Sequence, residues 1–201
     1  MNINKKVLIL ANGKFPGKKS SIELITASDF LICCDGAASK ILDLDIEPDI
    51  IIGDIDSIDD ATLDKLSDRI KEINDQSSND LSKALRWLIN KNIDSVTVLG
   101  ADGLRDDHSL SNILLFLENS YPYKINIITD HGEFDVINTS LLEPNGGLYS
   151  QSFSSFKGQG VSVFCSDRQS TFQSTGLRYK LENFSFDKLY GAALNVSKGG
   201  H

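Results

Sequence analysis

Two carboxylates directly follow the glycine that ends a short apolar run. Gly53 closes the run at residues 50–52, and Asp54 and Asp56 come next, separated by one residue. In an extended backbone this spacing points both side chains to the same side. Neighbouring carboxylates repel each other, and a hard cation such as magnesium relieves the repulsion through oxygen ligation. The pair therefore predicts a metal site; the alternative is a pair of loop residues that contact only water.

A third carboxylate, Asp35, follows another apolar run, residues 30–34, and precedes Gly36 and a helical pattern. In open α/β sheets, ligands bind beyond the carboxyl ends of the strands, so Asp35 falls where a site is expected. Taken alone, Asp35 is as consistent with a turn or a helix cap as with a ligand.

The segment around Asn79 places a carboxylate and an ammonium group on one helix face. Asn79 suits a helix N-cap, and Asp80 then lies in the first turn, where the helix dipole favours an anion by about 0.3–1 kcal/mol. Asp80, Lys83 and Trp87 share a face. The separate apolar stripe of the same helix comprises Leu81, Leu85 and Leu88. Capping does not explain the polar face, which is able to bind a metal and a phosphate together.

A loop with an arginine, residues 100–108, follows the apolar residues 96–99. A flexible loop, a guanidinium and a helix N-terminus suit an anion, and Arg105 can bind two phosphate oxygens at once. A solvated turn with Asp107 as the helix cap is the alternative.

The residues after the first apolar run resemble a P-loop in composition but lack its spacing. Gly13 and Gly17 are separated by three residues, one of them Pro16, whereas a P-loop needs four. A P-loop is therefore excluded, although Lys14 or Lys18 can still contact a phosphate.

Short apolar runs alternate with helical patterns over the first two thirds of the chain. Buried strands are predicted at residues 7–10, 30–34, 50–52, 96–99 and 125–128. Leucine stripes predict helices around Leu85 and over Leu110, Leu114 and Leu117. This alternation favours an α/β fold with a mostly parallel sheet flanked by helices. After the turn-rich residues 144–147, alternating runs such as residues 161–165 predict a small all-β sandwich domain.

The composition excludes several classes of partner. Twenty-eight acidic residues against 20 basic ones give a net charge of −8, so the broad positive field needed for nucleic-acid or anionic-membrane binding is absent. No apolar run approaches the ~20 residues of a membrane span, and residues 7–10 are too short for a signal-peptide core. Three cysteines, Cys33, Cys34 and Cys165, indicate free thiols in a reducing compartment, so a cytoplasmic location is expected.

Four of these segments, in this order, resemble the motifs of the thiamine pyrophosphokinase family. The family's Asp-Gly is matched by Asp35 and Gly36. Its Gly-Asp-x-Asp-Ser block is matched by Gly53, Asp54, Asp56 and Ser57. Its Gln-x-x-Thr-Asp-x-x-Lys-Ala block is matched by Gln76, Asp80, Lys83 and Ala84. Its glycine-rich Arg-x-Asp-His block is matched by Gly103, Arg105, Asp107 and His108, with Asn112 one turn later. Its second-domain Gly-Leu-Lys/Arg-Tyr signature is matched by residues 176–179.

The resemblance implies a Mg²⁺-dependent enzyme that transfers diphosphate from ATP to the hydroxyethyl group of thiamine and releases AMP. It implies a catalytic domain at residues 1–143 that binds ATP and Mg²⁺, a thiamine-binding β-sandwich at residues 144–201, and a homodimer with thiamine at the subunit interface. The residues implied for metal binding are Asp54, Asp56 and Asp80, with Asp35 close by. The residues implied to balance charge are Lys83 and Arg105, with Asp107 orienting Arg105 or joining the metal. The residues implied for binding ATP or thiamine are Asp35, Gly36, Gln76, Asn79, Gly103, His108, Asn112 and Asn195.

The chain departs from the family pattern at four positions. Asn79 replaces threonine and retains hydrogen bonding and capping, whereas Leu104 replaces a second glycine of the arginine loop. In the second domain, Lys180 replaces proline and Leu194 replaces serine, which leaves Asn195 as the candidate thiamine contact.

Two other functions use the same residues. A metal-dependent phosphohydrolase needs the carboxylates but no alcohol acceptor, and a non-catalytic homologue binds thiamine or a nucleotide without reaction. The pairing of Lys83 and Arg105 with a separate β domain favours two substrates, and hence the kinase.

Overall fold

The computed structural model describes residues 6–138 and 147–199 of the chain. The chain divides into two compact units, residues 1–141 and residues 142–201. The predicted domain boundary at residue 143 lies outside the described residues.

The first unit is built on one seven-stranded sheet. Its strands are β1 (Val7–Leu10), β2 (Phe30–Cys34), β3 (Ile50–Gly53), β4 (Ile70–Glu72), β5 (Ser95–Leu99), β6 (Lys124–Ile128) and β7 (Glu133–Val136). Their order in the sheet is β4-β3-β2-β1-β5-β6-β7. The first six strands run parallel, and only β7 pairs antiparallel, with β6.

Within residues 6–138, five helices flank this sheet. They are α1 (Lys19–Thr26), α2 (Ala37–Leu42), α3 (Asp60–Leu66), α4 (Asp80–Leu88) and α5 (Asp106–Glu118), and a 3₁₀ turn, Ser67–Arg69, follows α3. Side-chain caps begin two of them: Asp59 accepts a hydrogen bond from the backbone N–H of Thr62, and Asn79 accepts one from that of Ser82.

The core lies on both faces of the sheet, because successive side chains of a strand point to opposite sides. In β1, Val7 and Ile9 pack against α4, whereas Leu8 and Leu10 pack among residues of α1, α2 and α3. All four β1 side chains are therefore buried, as the continuous apolar run predicts. The five predicted strands and the α/β class are confirmed.

Two edge strands and one helix differ from the expectation. β4 is three residues long and contains a lysine and a glutamate, and the side chains of β7 are mostly exposed, so neither gives an apolar run. In α5, Leu110 and Leu114 of the predicted stripe are exposed, at 57% and 39%. Leu115 and Phe116 pack against the core instead.

The second unit consists of small antiparallel sheets. Strands β8 (Gly160–Val163) and β11 (Ala192–Val196) form one pair, and β9 (Thr171–Phe172) and β10 (Phe184–Ser185) form the other. Phe186 is the centre of its small core and meets the rings of Phe172 and Phe184 edge-on. Residues 147–199 contain no helix, as predicted. Across the described residues of both units, none of the helices combines the length and apolar character of a membrane span.

Candidate active site

Three carboxylates meet at the carboxyl ends of β2 and β3. Asp35 follows β2, and Asp54 and Asp56 follow β3. One carboxylate oxygen of each lies within 4.8 Å of the other two. The structure therefore brings the Asp54–Asp56 pair together with Asp35, at the edge of the parallel sheet where open α/β proteins bind ligands.

The backbone reaches this arrangement by a turn, so the extended geometry predicted from the spacing of Asp54 and Asp56 is wrong. Ile55, between the two carboxylates, has φ +72°, in the left-handed region that a β-branched residue rarely adopts. Asp35 also has a positive φ, +44°. Strained backbone of this kind is concentrated at functional sites, because the surrounding structure must hold it in place.

Asp35 is the buried member of the cluster. The residue is 2% exposed, and its Oδ1 accepts no hydrogen bond from the described residues. Burial, reinforced by the charges of Asp80, Asp56 and Asp54, raises the pKa of Asp35, although a hydrogen bond from Ser57 partly offsets this. A buried carboxylate oxygen without a donor, beside two other carboxylates, fits a hard divalent cation.

Asp80 approaches the same cluster from the N-terminus of α4. A Cβ at Gly53 would lie 3.0 Å from Cβ of Asp35 and 3.3 Å from Cγ of Asp80, so the absence of a side chain at Gly53 lets both approach. Asp80 lies beside the trio formed by Asp35, Asp54 and Asp56. Of the predicted metal ligands, two thus belong to the trio and the third borders it.

Lys83 is buried among these carboxylates. Its Nζ donates a hydrogen bond of 2.8 Å to Oδ1 of Asp80 and lies 3.8 Å from Oδ2 of Asp54. Burial lowers the pKa of Lys83, but the hydrogen bond to Asp80 and the charges of Asp80 and Asp54 outweigh it, so the pKa is raised. A permanent positive charge therefore lies within the acidic cluster.

Asn79 and Asn112 join two loops of this edge. Beyond its capping bond, Asn79 donates from Nδ2 to Oδ1 of Asn112 over 2.8 Å, and Asn112 donates to the carbonyl oxygen of Ala101 over 2.7 Å. The start of α4 is thereby linked to α5 and to the loop after β5. Nearby, Nε2 of Gln76 lies 3.4 Å from Oδ2 of Asp54.

Arg105 and Asp107 form a separate exposed pair. Arg105 donates to both carboxylate oxygens of Asp107, over 3.1 and 2.6 Å, which raises the pKa of Arg105 and lowers the pKa of Asp107. His108 is exposed in the first turn of α5. No hydrogen bond or ion pair among the described residues links Arg105 to the acidic cluster. Gly103 has φ +73° and contacts Lys14 so closely that a Cβ would lie 2.6 Å from that of Lys14.

The loop after β1 lies between the other loops of this edge. Lys40 donates to Oδ1 of Asn12 and to the carbonyl oxygen of Gly13, both over 2.9 Å. Lys14 forms an ion pair of 3.0 Å with Asp130. Gly36 contacts this loop, since its Cβ would lie 2.9 Å from Nδ2 of Asn12. The sequence does not predict the contacts of Lys40 and Asp130, because their partners lie 27 residues or more away along the chain and no spacing pattern indicates such distant pairs.

Asn195, in the second unit, has its amide committed to the backbone. It is 4% exposed, accepts hydrogen bonds from the N–H groups of Tyr179 and Val196, and donates to the carbonyl oxygen of Tyr179 over 2.6 Å. Tyr179 itself is 64% exposed. Asn195 thus holds the segment that carries the exposed tyrosine ring.

An α/β sheet with a carboxylate cluster and a buried lysine at its carboxyl edge defines a class of proteins suited to phosphorylated ligands and divalent cations. The family model for the catalytic domain of thiamin pyrophosphokinase matches residues 22–129, more than half of the chain. The chain therefore belongs to the thiamine pyrophosphokinase family, a family of transferases of the kinase type.

Solved structures share the fold over almost the whole chain. Thiamine pyrophosphokinase from Bacillus subtilis has a TM-score of 0.64 and 21% identity, covering 97% of this chain and 95% of its own. Thiamin pyrophosphokinase from Candida albicans has a TM-score of 0.69 and 17% identity, covering 96% and 83%. A probable thiamine pyrophosphokinase from Staphylococcus saprophyticus has a TM-score of 0.61 and 19% identity, covering 94% and 92%. No curated protein sequence matches the chain significantly.

Proposed function

We propose that this protein transfers the diphosphate group of ATP to the hydroxyethyl group of thiamine, giving thiamine diphosphate and AMP. The observation that carries the proposal is the cluster of Asp35, Asp54 and Asp56 beside Asp80 and Lys83. Within this cluster, the buried Oδ1 of Asp35 accepts no hydrogen bond from the described residues. Diphosphoryl transfer is mostly positioning and charge neutralisation, and this edge of the sheet concentrates groups suited to both.

The carboxylates are the proposed magnesium site. Asp54, Asp56 and Asp80 would hold the ion, with Asp35 beside them, since carboxylate oxygens are the donors that Mg²⁺ prefers. When bound, the ion supplies neutralisation of phosphate charge. The carboxylates of Asp54 and Asp80 themselves orient Lys83 between them.

Lys83 is proposed to stabilise the transferred group. Its raised pKa keeps the ammonium protonated at neutral pH, and its hydrogen bond to Asp80 fixes its position. A fixed, buried positive charge costs no reorganisation during the reaction, so it stabilises negative charge that develops at the β-phosphorus.

The arginine loop is proposed to bind the departing AMP. Arg105 would grip phosphate oxygens through its guanidinium, and Asp107 holds that guanidinium by two hydrogen bonds. The other residues proposed to face ATP are Asp35, Gly36, Asn79, Gly103, His108 and Asn112.

Thiamine is proposed to bind between Gln76 of one subunit and the second unit of a partner subunit, in a homodimer. In the second unit the candidate is Asn195, whose buried amide orients the exposed Tyr179. The acidic charge of the chain speaks against nucleic-acid and membrane partners, and the three free cysteines support a cytoplasmic location.

The proposal is tested by incubating the protein with ATP and Mg²⁺, with and without thiamine, and measuring AMP by chromatography. We expect AMP to form only when thiamine is present. AMP or inorganic phosphate released equally without thiamine would favour a phosphohydrolase, and thiamine binding without any product would favour a non-catalytic homologue. Asp54→Asn, which removes one charge from the cluster, should abolish AMP formation without lowering the melting temperature.

A further inference from the structure

Among the described residues near the proposed site, Asp75 accepts the largest number of hydrogen bonds of any carboxylate, and it has no role in the function proposed so far. Its Oδ1 accepts from the backbone N–H of Ser77 over 2.9 Å and from the hydroxyl of the same serine over 2.5 Å. Its Oδ2 accepts from the hydroxyl of Ser78 over 2.6 Å and from Nη2 of Arg86 over 2.9 Å. Arg86 also contacts the hydroxyl of Ser78.

These bonds tie a short loop to a rigid helix. Arg86 belongs to α4, in which six residues are buried, so the guanidinium is anchored to a well-packed element. At its other end the loop is held by Asn79, the N-cap of the same helix. Residues 75–78, the four that directly precede this cap in the connection from β4 to α4, are thus fixed at both ends, and Gln76 lies among them.

Asp75 is occupied entirely by these partners. The hydrogen bonds from Ser77 and Ser78, together with Arg86, hold the pKa of Asp75 far below its usual range, so these bonds favour the ionised carboxylate. Asp75 does not belong to the carboxylate trio of Asp35, Asp54 and Asp56. Its chemistry therefore resembles that of a turn organiser and not that of a metal ligand.

The side chain that depends on this organisation is Gln76. It follows Asp75 directly, and its Nε2 lies 3.4 Å from Oδ2 of Asp54, at the acidic cluster. Ser77, on the other side of Gln76, is hydrogen-bonded to Asp75 through both its backbone N–H and its hydroxyl. The backbone at Gln76 is therefore restrained, which limits how far its side-chain amide can move from the acidic cluster.

We infer that Asp75 and Arg86 form a clamp that positions Gln76 for the acceptor substrate. The clamp is a positioning device: neither residue touches the reacting atoms, and each acts through the loop. This inference rests on the proposed function, in which the acceptor is thiamine. An exposed ion pair contributes little to stability, so the clamp should affect substrate recognition much more than folding.

The test compares Asp75→Asn with the wild type in steady-state kinetics and in calorimetric titration with thiamine. The asparagine places an N–H group where Oδ2 now accepts from two donors, so the clamp opens while the side-chain volume is kept. We expect KM and Kd for thiamine to rise about tenfold, as for one lost hydrogen bond, with kcat and the KM for ATP within about twofold. Arg86→Met should raise both thiamine constants in the same way, and the double variant should be no worse than either single one.

Glu47→Gln is the matched control. Glu47 is a similarly exposed carboxylate that accepts from Nη2 of Arg69 over the same 2.9 Å. Glu47 and Arg69 precede the starts of the parallel strands β3 and β4, whereas the proposed site lies at the carboxyl ends of these strands. Its thiamine constants should equal those of the wild type.

The outcomes separate the clamp from the proposed function. Unchanged thiamine constants in Asp75→Asn, or a fall in kcat accompanied by a changed Mg²⁺ requirement, would overturn the clamp while wild-type turnover stands. A wild type that binds thiamine but forms no thiamine diphosphate would overturn the proposed reaction and leave the clamp to be judged by the thiamine Kd. A wild type that binds no thiamine would overturn both.

Discussion

Gly53 sets how closely the carboxylates at the strand ends approach one another. It ends β3 in a buried position, and Asp35 and Asp80 both lie within 3.4 Å of the place where its Cβ would be. Glycine is required here by the close approach of these side chains and not by the backbone conformation, since the φ of Gly53 is not in the left-handed region. A methyl group at this position acts on the spacing of the acidic cluster without changing any charge.

Gly53→Ala is predicted to impair catalysis in a protein that still folds. The added methyl must displace Asp35 or Asp80 by a few tenths of an ångström, at a cost in stability of about 1–3 kcal/mol, and the misplaced carboxylates should lower kcat at least tenfold. Melting temperature and kcat are measured together. Gly132→Ala is the control, because nothing lies within 4 Å of its Cβ position. If both variants keep wild-type kcat, the spacing of the cluster is irrelevant to activity.

Lys83→Met is predicted to lower kcat and to strengthen Mg²⁺ binding. The loss of a preorganised charge should lower kcat about 10²–10³-fold. Because the buried ammonium now neutralises part of the cluster, its removal should also strengthen Mg²⁺ binding, so Mg²⁺ should raise the melting temperature more in the variant than in the wild type. A smaller thermal shift in the variant would contradict the placement of the metal beside Lys83.

The start of α4 is the element that links the two halves of the proposed site. Asn79 caps the helix that carries Asp80 and Lys83, and its bond to Asn112 connects that helix to α5, at whose N-terminus Arg105 lies. A threonine here would have a shorter side chain with one polar atom, whereas the amide of Asn79 accepts the capping bond and donates the bridge from separate atoms.

A double-mutant cycle of Asn79→Ala and Asn112→Ala is predicted to be non-additive. The first change removes the cap and the bridge, at about 1 kcal/mol for the cap alone, and the second removes the bridge and the bond to Ala101. The coupling in the free energy of unfolding, from urea titration, should be about 0.5–1.5 kcal/mol. Simple additivity would mean that the bridge does not join the two elements.

The elements that the sequence predicts well are those whose signal is local. Residues 7–10 and 30–34 are apolar throughout because both faces of those strands are covered, and their bounds agree with β1 and β2. Strand β4 escapes prediction because an edge strand of three residues needs no apolar run. The leucines of α5 show the converse, since helical spacing alone does not state which face meets the core.

The candidate site follows the same rule. Asp54 and Asp56 are identifiable because the glycine and the preceding strand place them at the sheet edge. The left-handed turn at Ile55 is not identifiable from the sequence, since a β-branched residue rarely adopts that conformation. Asp75 lies next to a recognised motif, yet its role depends on Arg86, eleven residues away on a helix face, and only the folded chain brings that guanidinium to the loop.

At the scale of the whole molecule, the proposed homodimer makes each active site from two chains. Subunit mixing tests this arrangement. Asp54→Asn disables the first unit, and Asn195→Ala releases the segment that carries Tyr179 in the second. If each site combines the first unit of one subunit with the second unit of the other, mixing and reassorting the two inactive variants should restore about a quarter of wild-type activity, since half the dimers are mixed and each has one intact site.

If mixing restores no activity although native mass spectrometry verifies the exchange of subunits, each site lies within a single chain. A monomer in light scattering would likewise contradict the shared site. Asn195→Ala must retain a cooperative melting transition for the comparison to hold, because its amide makes three bonds to the backbone.

In the proposed reaction, one step moves two phosphates together onto an alcohol at the acidic edge of the sheet. Mass spectrometry with ATP that carries ¹⁸O on its γ-phosphate tests it most directly, with thiamine and Mg²⁺ present. We expect labelled thiamine diphosphate and unlabelled AMP in equal amounts, and neither product with Asp54→Asn. ADP with thiamine monophosphate, or labelled inorganic phosphate without thiamine diphosphate, would contradict it.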